Sequence, residues 1–393
     1  MKDSARLAAS IDIIDKFLNG IPLERAFSGW ARRSKFAGSS DRAAIRDILF
    51  CSIRSLKTYS EIGGSKTGRG IVIGYLLDIG KKPAEYFTGE VYAPEVLSNE
   101  ESQTILNVNV KSVVENEVDF PDWLIPVLKE SLGPKFKVIN SFLRNRAPTF
   151  LRINSRKASL KEVQSLLRHE NIESEIVSLV SGALEVKKNN RKVKLSKAYK
   201  KGYFEFQDIN SQLVCELIPL SDGFRVLDFC AGGGGKALAL KDRADIDVSA
   251  YDVNLDRMKD IPIRSERAGV EVKIFSDLNN ITRTDFDLVL CDVPCTGSGA
   301  WRRDPEGKWS LTYDKYNSIQ KDQISILNSA KTLVKEGGIL VYMTCSFLKP
   351  ENEGQIKKFL KKNTKWETAL TKNLFNSTNG DGFFIAILKN NST

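Results

Sequence analysis

Near the start of the chain Leu7, Ile11, Ile14 and Leu18 recur three or four residues apart, and Gly20-Ile21-Pro22 supplies the cap and breaker that end such a pattern. This spacing predicts an amphipathic helix. A second helix is expected to begin after Ser39-Ser40, with Ile45, Ile48, Leu49 and Leu56 on its inner face. Further apolar stretches at 71–77 and at Tyr86-Phe87 are separated by glycine or proline, and β-branched alternation is sparse. Residues 1–118 therefore read as all-helical. Arg42, Arg46 and Arg54 on the second helix form either a basic face or a solvated one.

The pattern changes at Phe120. Short helices are expected at 121–128, then a strand at 150–154. Ser159 and Glu162 have capping-box spacing, and Leu160, Val163, Leu166 and Leu167 give the following helix its apolar face. Strands are expected again at 176–180 and 183–186, which makes a β-α-β unit the economical reading of 119–205. Lys187, Lys188, Arg191, Lys192, Lys194, Lys197, Lys200 and Lys201 follow as the densest basic run of the chain. From Gly223 short apolar runs alternate with helical patterns, the signature of a parallel sheet covered by helices. Strands are predicted at 225–230, 248–252, 272–275, 286–291, 338–343 and 383–388. Helices are predicted at 236–241, 254–267, 316–334 and 351–361. The fold class is thus α/β, a doubly wound sheet over 206–393, preceded by an all-helical part and a small α+β part.

Composition narrows the picture. A chain of 393 residues, 41% of them hydrophobic, is large enough for two or three globular cores. Its formal net charge of +10 suggests a polyanionic partner, because clustered Lys and Arg release counterions from phosphates. Six cysteines with neither disulfide density nor zinc-ligand spacing fit a reducing cytoplasm and argue against a metal site. No run approaches the roughly 18 apolar residues that span a bilayer. A soluble, unexported, cytoplasmic protein without a membrane partner is expected.

Candidate chemistry gathers at strand ends. The loop 231–235 after the first strand of the sheet is mostly glycine, which lets a ligand approach the backbone closely. Asp252 ends the next strand about twenty residues later, where a carboxylate accepts ribose hydroxyls; Asp277 follows the third. A nicotinamide cofactor fits the loop and Asp252 as well as an adenosyl ligand does, and any one of these aspartates also suits a helix cap. The more discriminating segments are Asp292-Val293-Pro294-Cys295 and Thr344-Cys345-Ser346. If both preceding runs are parallel strands, the two thiols share one carboxyl edge of the sheet. Cys230 and Cys291 lie within strand runs and read as inert small hydrophobes. The only histidine, His169, lies in an upstream helix, so a histidine-based triad is excluded and a thiolate is the natural nucleophile.

These segments carry a resemblance. Cys230-Ala231-Gly232-Gly233-Gly234-Gly235-Lys236, the stretch from Asp292 through Cys295 to Glu306, and Thr344-Cys345-Ser346 continuing to Glu353 resemble the signature motifs of the RsmB/Nop/Sun family of RNA cytosine-5 methyltransferases. Gln207 to Gln212 resembles the family's entry motif. The first hundred or so residues resemble the NusB-like RNA-binding domain of the bacterial RsmB branch.

The resemblance implies a NusB-like domain at 1–118, an RNA-binding subdomain at 119–205 and a class I, S-adenosylmethionine-dependent methyltransferase domain at 206–393. It implies Cys345 as the nucleophile toward carbon 6 of cytosine and Asp292 as the carboxylate at the base edge. Cys295 would be the agent of release. The cofactor would be held by Cys230, Ala231, Gly232, Gly233, Gly234, Gly235, Lys236, Asp252, Asp277 and Asp292. Arg302 and Arg303 are expected to meet RNA phosphate. The implied partner is RNA, with 16S ribosomal RNA favoured, and a monomer is expected. One departure stands out: the family usually has Ala-Pro where this chain has Gly232-Gly233. Two rival readings remain, a DNA cytosine methyltransferase using Cys295 and a non-catalytic RNA-binding assembly factor.

Overall fold

A computed structural model describes residues 1–281, 285–375 and 379–391. The chain groups into two compact units. The first comprises residues 1–146 together with 301–310, and the second 147–300 together with 311–393.

The first unit is helical. The expected first helix forms at Asp3–Leu18 and buries Leu7, Ile13 and Ile14. A helix at Leu23–Arg33, which the apolar spacing did not announce, buries Leu23, Ala26 and Trp30. The helix expected after Ser39-Ser40 is Ser39–Arg54, with Ile45 and Leu49 fully buried. Leu56 belongs to the next helix, Leu56–Ile62, because Ser55 leaves helical backbone geometry. Helices continue beyond residue 118 through Phe136–Arg144, with no strand among the described residues before Thr149.

Residues 301–310, distant in sequence, complete this unit. Helix Ser39–Arg54 leaves its last carbonyls without intrahelical partners, as every helix does. Lys308 Nζ donates to the Arg54 carbonyl at 2.9 Å and Trp309 Nε1 to that of Ile53 at 2.8 Å. Arg54 Nε in turn donates to the Arg302 carbonyl at 2.7 Å. Burial among Phe120 and Trp309 lowers the Lys308 ammonium to about 7.

The second unit holds two sheets. The smaller contains β1 (Thr149–Ile153), β2 (Glu173–Val177), β3 (Ala183–Lys188) and β4 (Phe204–Phe206) in the order β2-β3-β1-β4, every pair antiparallel. Helix Leu160–His169 connects β1 to β2. The two strands run parallel with β3 between them, so the expected β-α-β crossover is a split one. The larger sheet contains β5 (Arg225–Asp228), β6 (Asp247–Tyr251), β7 (Lys273–Phe275), β8 (Phe286–Asp292), β9 (Val334–Thr344), β10 (Trp366–Leu374) and β11 (Phe383–Asn390). Its order is β10-β11-β9-β8-β5-β6-β7. The strands from β9 to β7 in that order are parallel, and β11 and β10 are added antiparallel.

Central strands buried on both faces must be apolar throughout. Accordingly Leu227, Val289, Cys291, Leu340 and Tyr342 pack into one core, and Val226, Leu288, Leu290, Val341 and Met343 into the core on the opposite face. The sheet is a doubly wound, Rossmann-like one. Strand order reverses between β5 and β8, which places a ligand crevice at the carboxyl edge there. The helix expected at 254–267 is interrupted: a 3-10 turn at Leu255–Met258 precedes helix Ile261–Ala268, with Pro262 in its first turn. The helix expected at 316–334 is Tyr313–Ala330, and Val334 already opens β9.

Candidate active site

β8 and β9 are parallel neighbours with Asp292 opposite Met343. Cys295 lies three residues past the end of one strand and Cys345 directly after the other, so both reach the same edge. Their sulfurs are 3.4 Å apart and both are free thiols. That spacing suits an S–H···S contact and is too long for a disulfide. The hydrogen bond to Cys345 and burial, with the nearby Glu351 charge adding to them, push the Cys295 thiol well above the ordinary range. Cys295 therefore keeps its proton at neutral pH. Burial raises Cys291, inside β8, likewise, and also Cys230, which lies in the turn two residues past β5 rather than in the strand expected for it.

Asp292 closes β8 and forms an ion pair with Lys236, which projects from the first turn of helix Gly235–Arg243. Burial opposes the Lys236 charge, but Asp292 outweighs it and the ammonium is held above its ordinary range. Beneath them lies Asp228, the last residue of β5. It is buried, and the backbone N–H groups of Cys230 and Ala237 face it without closing an aligned hydrogen bond to either carboxyl oxygen. Burial pushes its carboxyl up to about 7.

The glycine loop turns between β5 and helix Gly235–Arg243. Gly232 and Gly234 adopt φ of 49° and 76°, a region that suits glycine. A Cβ on Gly232 would stand 3.0 Å from the Arg257 guanidinium, and one on Gly233 3.0 Å from that of Arg264. Arg264 donates to the Gly233 carbonyl and pairs with Glu205 at 2.9 Å. Two arginines thus brace the loop at the positions where the chain lacks the Ala-Pro of the resembling family. Asp252 follows β6 and is buried; it accepts from Gly232 N at 2.9 Å and from Asn254 N at 2.9 Å, and pairs with Arg257 at 3.0 Å. Asp277 follows β7, is exposed, and accepts from Asn279 N at 2.9 Å, which is the capping geometry. Cys230, Ala231, the four glycines, Lys236, Asp252 and Asp292 thus lie at the carboxyl ends of β5, β6 and β8, with Asp277 after β7 on the same edge of the sheet.

Two expectations about arginines are corrected. Arg302 is 1% exposed and its guanidinium lies 3.8 Å over the Phe142 ring inside the helical unit, so it does not face a phosphate. Arg303 is exposed. Arg54 is likewise buried and bonded to the Arg302 carbonyl, so it belongs to neither a basic nor a solvated face. A helix-facing arginine and a buried one look the same in sequence when their partners lie about 250 residues away.

Behind the thiols stands a group that the motifs do not announce. Thr296, Ser346 and Glu351 form a buried cluster there. The available signal was that each cysteine is followed directly by a hydroxyl residue. The Gln207 to Gln212 segment also acquires a structural role: Asp208 caps helix Ile209–Leu217 and accepts from Asp381 N at 3.0 Å, while Asn210 donates to the Asp381 carbonyl at 2.7 Å. Among the described residues no group of three or more His, Cys, Asp or Glu side chains is arranged to hold a metal ion, and no helix is long and apolar enough to cross a membrane.

Known proteins resemble this architecture along most of its length. Residues 215–389 match the family model described as 16S rRNA methyltransferase RsmB/F, and residues 120–193 match the RsmF/B-like, ferredoxin-like domain. Ribosomal RNA small subunit methyltransferase B of Vibrio vulnificus (strain YJ016) is 27% identical over 353 residues, covering 81% of this chain and 83% of the relative. The protein of the same name from Yersinia pestis bv. Antiqua (strain Angola) is 25% identical over 392 residues, covering 90% and 91%. Among solved structures, that of PH0851 superimposes with a TM-score of 0.74 over 99% of both chains at 22% identity. NSun6 from Pyrococcus horikoshii with SFG does so with a TM-score of 0.60 over 70% of this chain and 99% of its own, at 18% identity. These structural likenesses are likenesses of fold. With two models of one family matched in succession, relatives aligned over most of both lengths, and a doubly wound sheet carrying the expected loops, the chain belongs to the RsmB/F family of methyltransferases.

Proposed function

We propose that this methyltransferase transfers a methyl group from S-adenosylmethionine to carbon 5 of a cytosine in RNA, 16S ribosomal RNA being the substrate, through a covalent adduct on Cys345. The observation that carries the reading is the pair of free thiols 3.4 Å apart at the carboxyl edge of the sheet, beside Asp292 and the glycine loop. The names of these two relatives, both small-subunit ribosomal RNA methyltransferases, support the RNA substrate. The neighbour solved with SFG, an S-adenosylmethionine analogue, supports the cofactor.

The loop is suited to an adenosyl sulfonium ligand: positive φ at Gly232 and Gly234 turns it at the carboxyl edge of β5, and the Asp252 carboxylate, which follows β6 at the same edge, is bonded to the Gly232 N–H. The residues that would hold it are Cys230 to Lys236, Asp252 and Asp277. When bound, the cofactor supplies an electrophilic methyl group. Carbon 5 of cytosine is a poor nucleophile until sulfur adds to carbon 6. The Cys345 thiolate makes that bond, and the ring electrons move toward carbon 5. Asp292 holds the base edge and stabilises the proton on the ring nitrogen, an electrostatic role suited to a partly dry site. After transfer the proton on carbon 5 passes to water, the electrons of that C–H bond form the double bond between carbons 5 and 6, and the bond from carbon 6 to Cys345 breaks with its electron pair returning to sulfur. Cys295, protonated beside that sulfur, serves this release by donating its S–H to the departing thiolate. The target base must be unstacked to reach the thiol. The exposed lysines from Lys187 to Lys201 are the candidate contacts to phosphate.

The test is transfer of label from methyl-labelled S-adenosylmethionine to unmodified 16S ribosomal RNA by the full-length chain, followed by nucleoside analysis. Labelled 5-methylcytidine is expected. Label in a matched DNA but not in RNA would move the substrate to DNA, and label in neither would leave an RNA-binding factor without this activity. Arg302→Ala provides a separate check on the RNA surface. Losing its packing on Phe142 is expected to lower stability by about 2 kcal/mol while leaving the salt dependence of RNA affinity unchanged. A salt slope reduced by about one would instead put that guanidinium on a phosphate.

A further inference from the structure

Glu351 is fully buried and takes four donors from three separate segments. Its Oε1 accepts from the Thr296 backbone N–H at 2.9 Å and from Gln323 Nε2 at 3.0 Å. Its Oε2 accepts from Thr296 Oγ1 at 2.6 Å and from Ser346 Oγ at 2.5 Å. Thr296 and Ser346 are the residues next to Cys295 and Cys345, so one carboxylate joins the two thiol-bearing loops and ties both to helix Tyr313–Ala330, which carries Gln323. The surrounding bonds point the same way. Tyr342 Oη donates to the Glu351 carbonyl at 2.6 Å, and Asn352 Nδ2 donates to the Ser346 carbonyl at 2.9 Å. Gly299 N donates to the Cys345 carbonyl at 2.9 Å.

We propose that Glu351 is a positioning residue of the transfer reaction: it sets the spacing of the Cys295 and Cys345 sulfurs and, by its negative charge, keeps the shared proton on Cys295 so that the pair carries a single thiolate. The inference rests on the function proposed above. A carboxylate surrounded only by donors is an acceptor in its ionised form. Burial raises its carboxyl above the ordinary range, and the four hydrogen bonds oppose that shift. The titratable groups that face this cluster are Cys295, Cys345, Tyr342, Cys291 and Cys230. Burial holds Cys291, Cys230 and Tyr342 in the protonated, neutral form, and the hydrogen bond to Cys345 together with burial does the same for Cys295. Glu351 is therefore the fixed charge beside the thiols, with the Lys236–Asp292 pair at the end of β8 as the next charged groups. A negative charge next to two sulfurs opposes their joint ionisation.

Glu351→Gln separates the charge from the scaffold, since the hydroxyls of Thr296 and Ser346 can turn to accept from an amide. In the full-length chain this variant is expected to keep KM for RNA and for S-adenosylmethionine, to lose about tenfold in kcat, and to move the pH at which the two thiols become alkylated by iodoacetamide downward by about one unit. Glu351→Ala, which also unties the loops, is expected to lose about a hundredfold. Alkylation needs no RNA. If wild type transfers no methyl group yet E351Q shifts the alkylation profile, the charge role stands and the proposed function falls. If wild type methylates RNA while E351Q matches it in both kcat and alkylation profile, the inference is overturned and the function stands. Ser346→Ala, which removes one donor and leaves the carboxylate, guards against a folding defect in the first variant. It is expected to lower kcat several-fold at unchanged KM, and an unchanged kcat would count against the inference.

Discussion

Cys345→Ala is expected to abolish methyl transfer to RNA, by at least about 10⁴-fold in kcat, while S-adenosylmethionine binding is retained. The nucleophile is the one group whose loss removes the covalent route rather than weakening it. Nothing else described at this edge of the sheet is placed to replace it: Cys295 is the nearest thiol, and it is held protonated by its hydrogen bond to Cys345 and by burial. Cys295→Ala should behave differently. With Cys345 intact, addition and transfer proceed, release slows, and a protein–RNA adduct accumulates that survives denaturing electrophoresis. The two variants together assign the roles. An adduct in Cys345→Ala and none in Cys295→Ala would exchange the two cysteines, as in the DNA-enzyme reading. Full activity in both would remove the two-thiol mechanism.

Asp228→Asn is expected to change how stability depends on pH. In the unfolded chain this carboxyl titrates near the ordinary aspartate value, whereas in the fold burial holds it at about 7. Between those two values the folded state binds more protons than the unfolded one. Stability therefore falls as pH rises through that window and levels off above it. A displacement of about three units at about 1.4 kcal/mol each corresponds to roughly 4 kcal/mol lost by pH 8. Asparagine does not ionise, so the variant should match or fall slightly below wild type at pH 4.5, where Asp228 is largely neutral. At pH 8 it should exceed wild type by about 2–4 kcal/mol. Urea unfolding of both proteins at the two pH values measures this. Parallel pH dependences would mean that Asp228 is ionised in the fold at little cost, with Lys236 compensating it fully.

Part of this architecture was legible because its causes are local. Apolar spacing placed the first helix, with Gly20 and Pro22 at its end, and the continuous apolar runs marked β5, β8 and β9, since central parallel strands are buried on both sides. The glycine loop and the aspartate after β6 could be read because close backbone approach and positive φ admit few other residues. β10 escaped notice because an edge strand with one exposed face, residues 366–374, carries little apolar alternation. The small sheet was read as a plain β-α-β unit because nothing in the order of strands says that β3 inserts between β1 and β2.

Spacing within a few residues sets the alternation of strands and helices, the glycine turn and the presence of two cysteines after two strands. Which groups meet depends on how the chain packs. Packing buried Arg302 and Arg54 in the helical unit, where the segment 301–310 caps a helix more than 200 residues earlier in the chain. It brought two sulfurs fifty residues apart to 3.4 Å and set Glu351 behind them. Burial and long-range pairing, unlike periodicity, are properties of the packed chain, and they fix the protonation of Cys295, Asp228 and Lys236 on which the chemistry of the site depends.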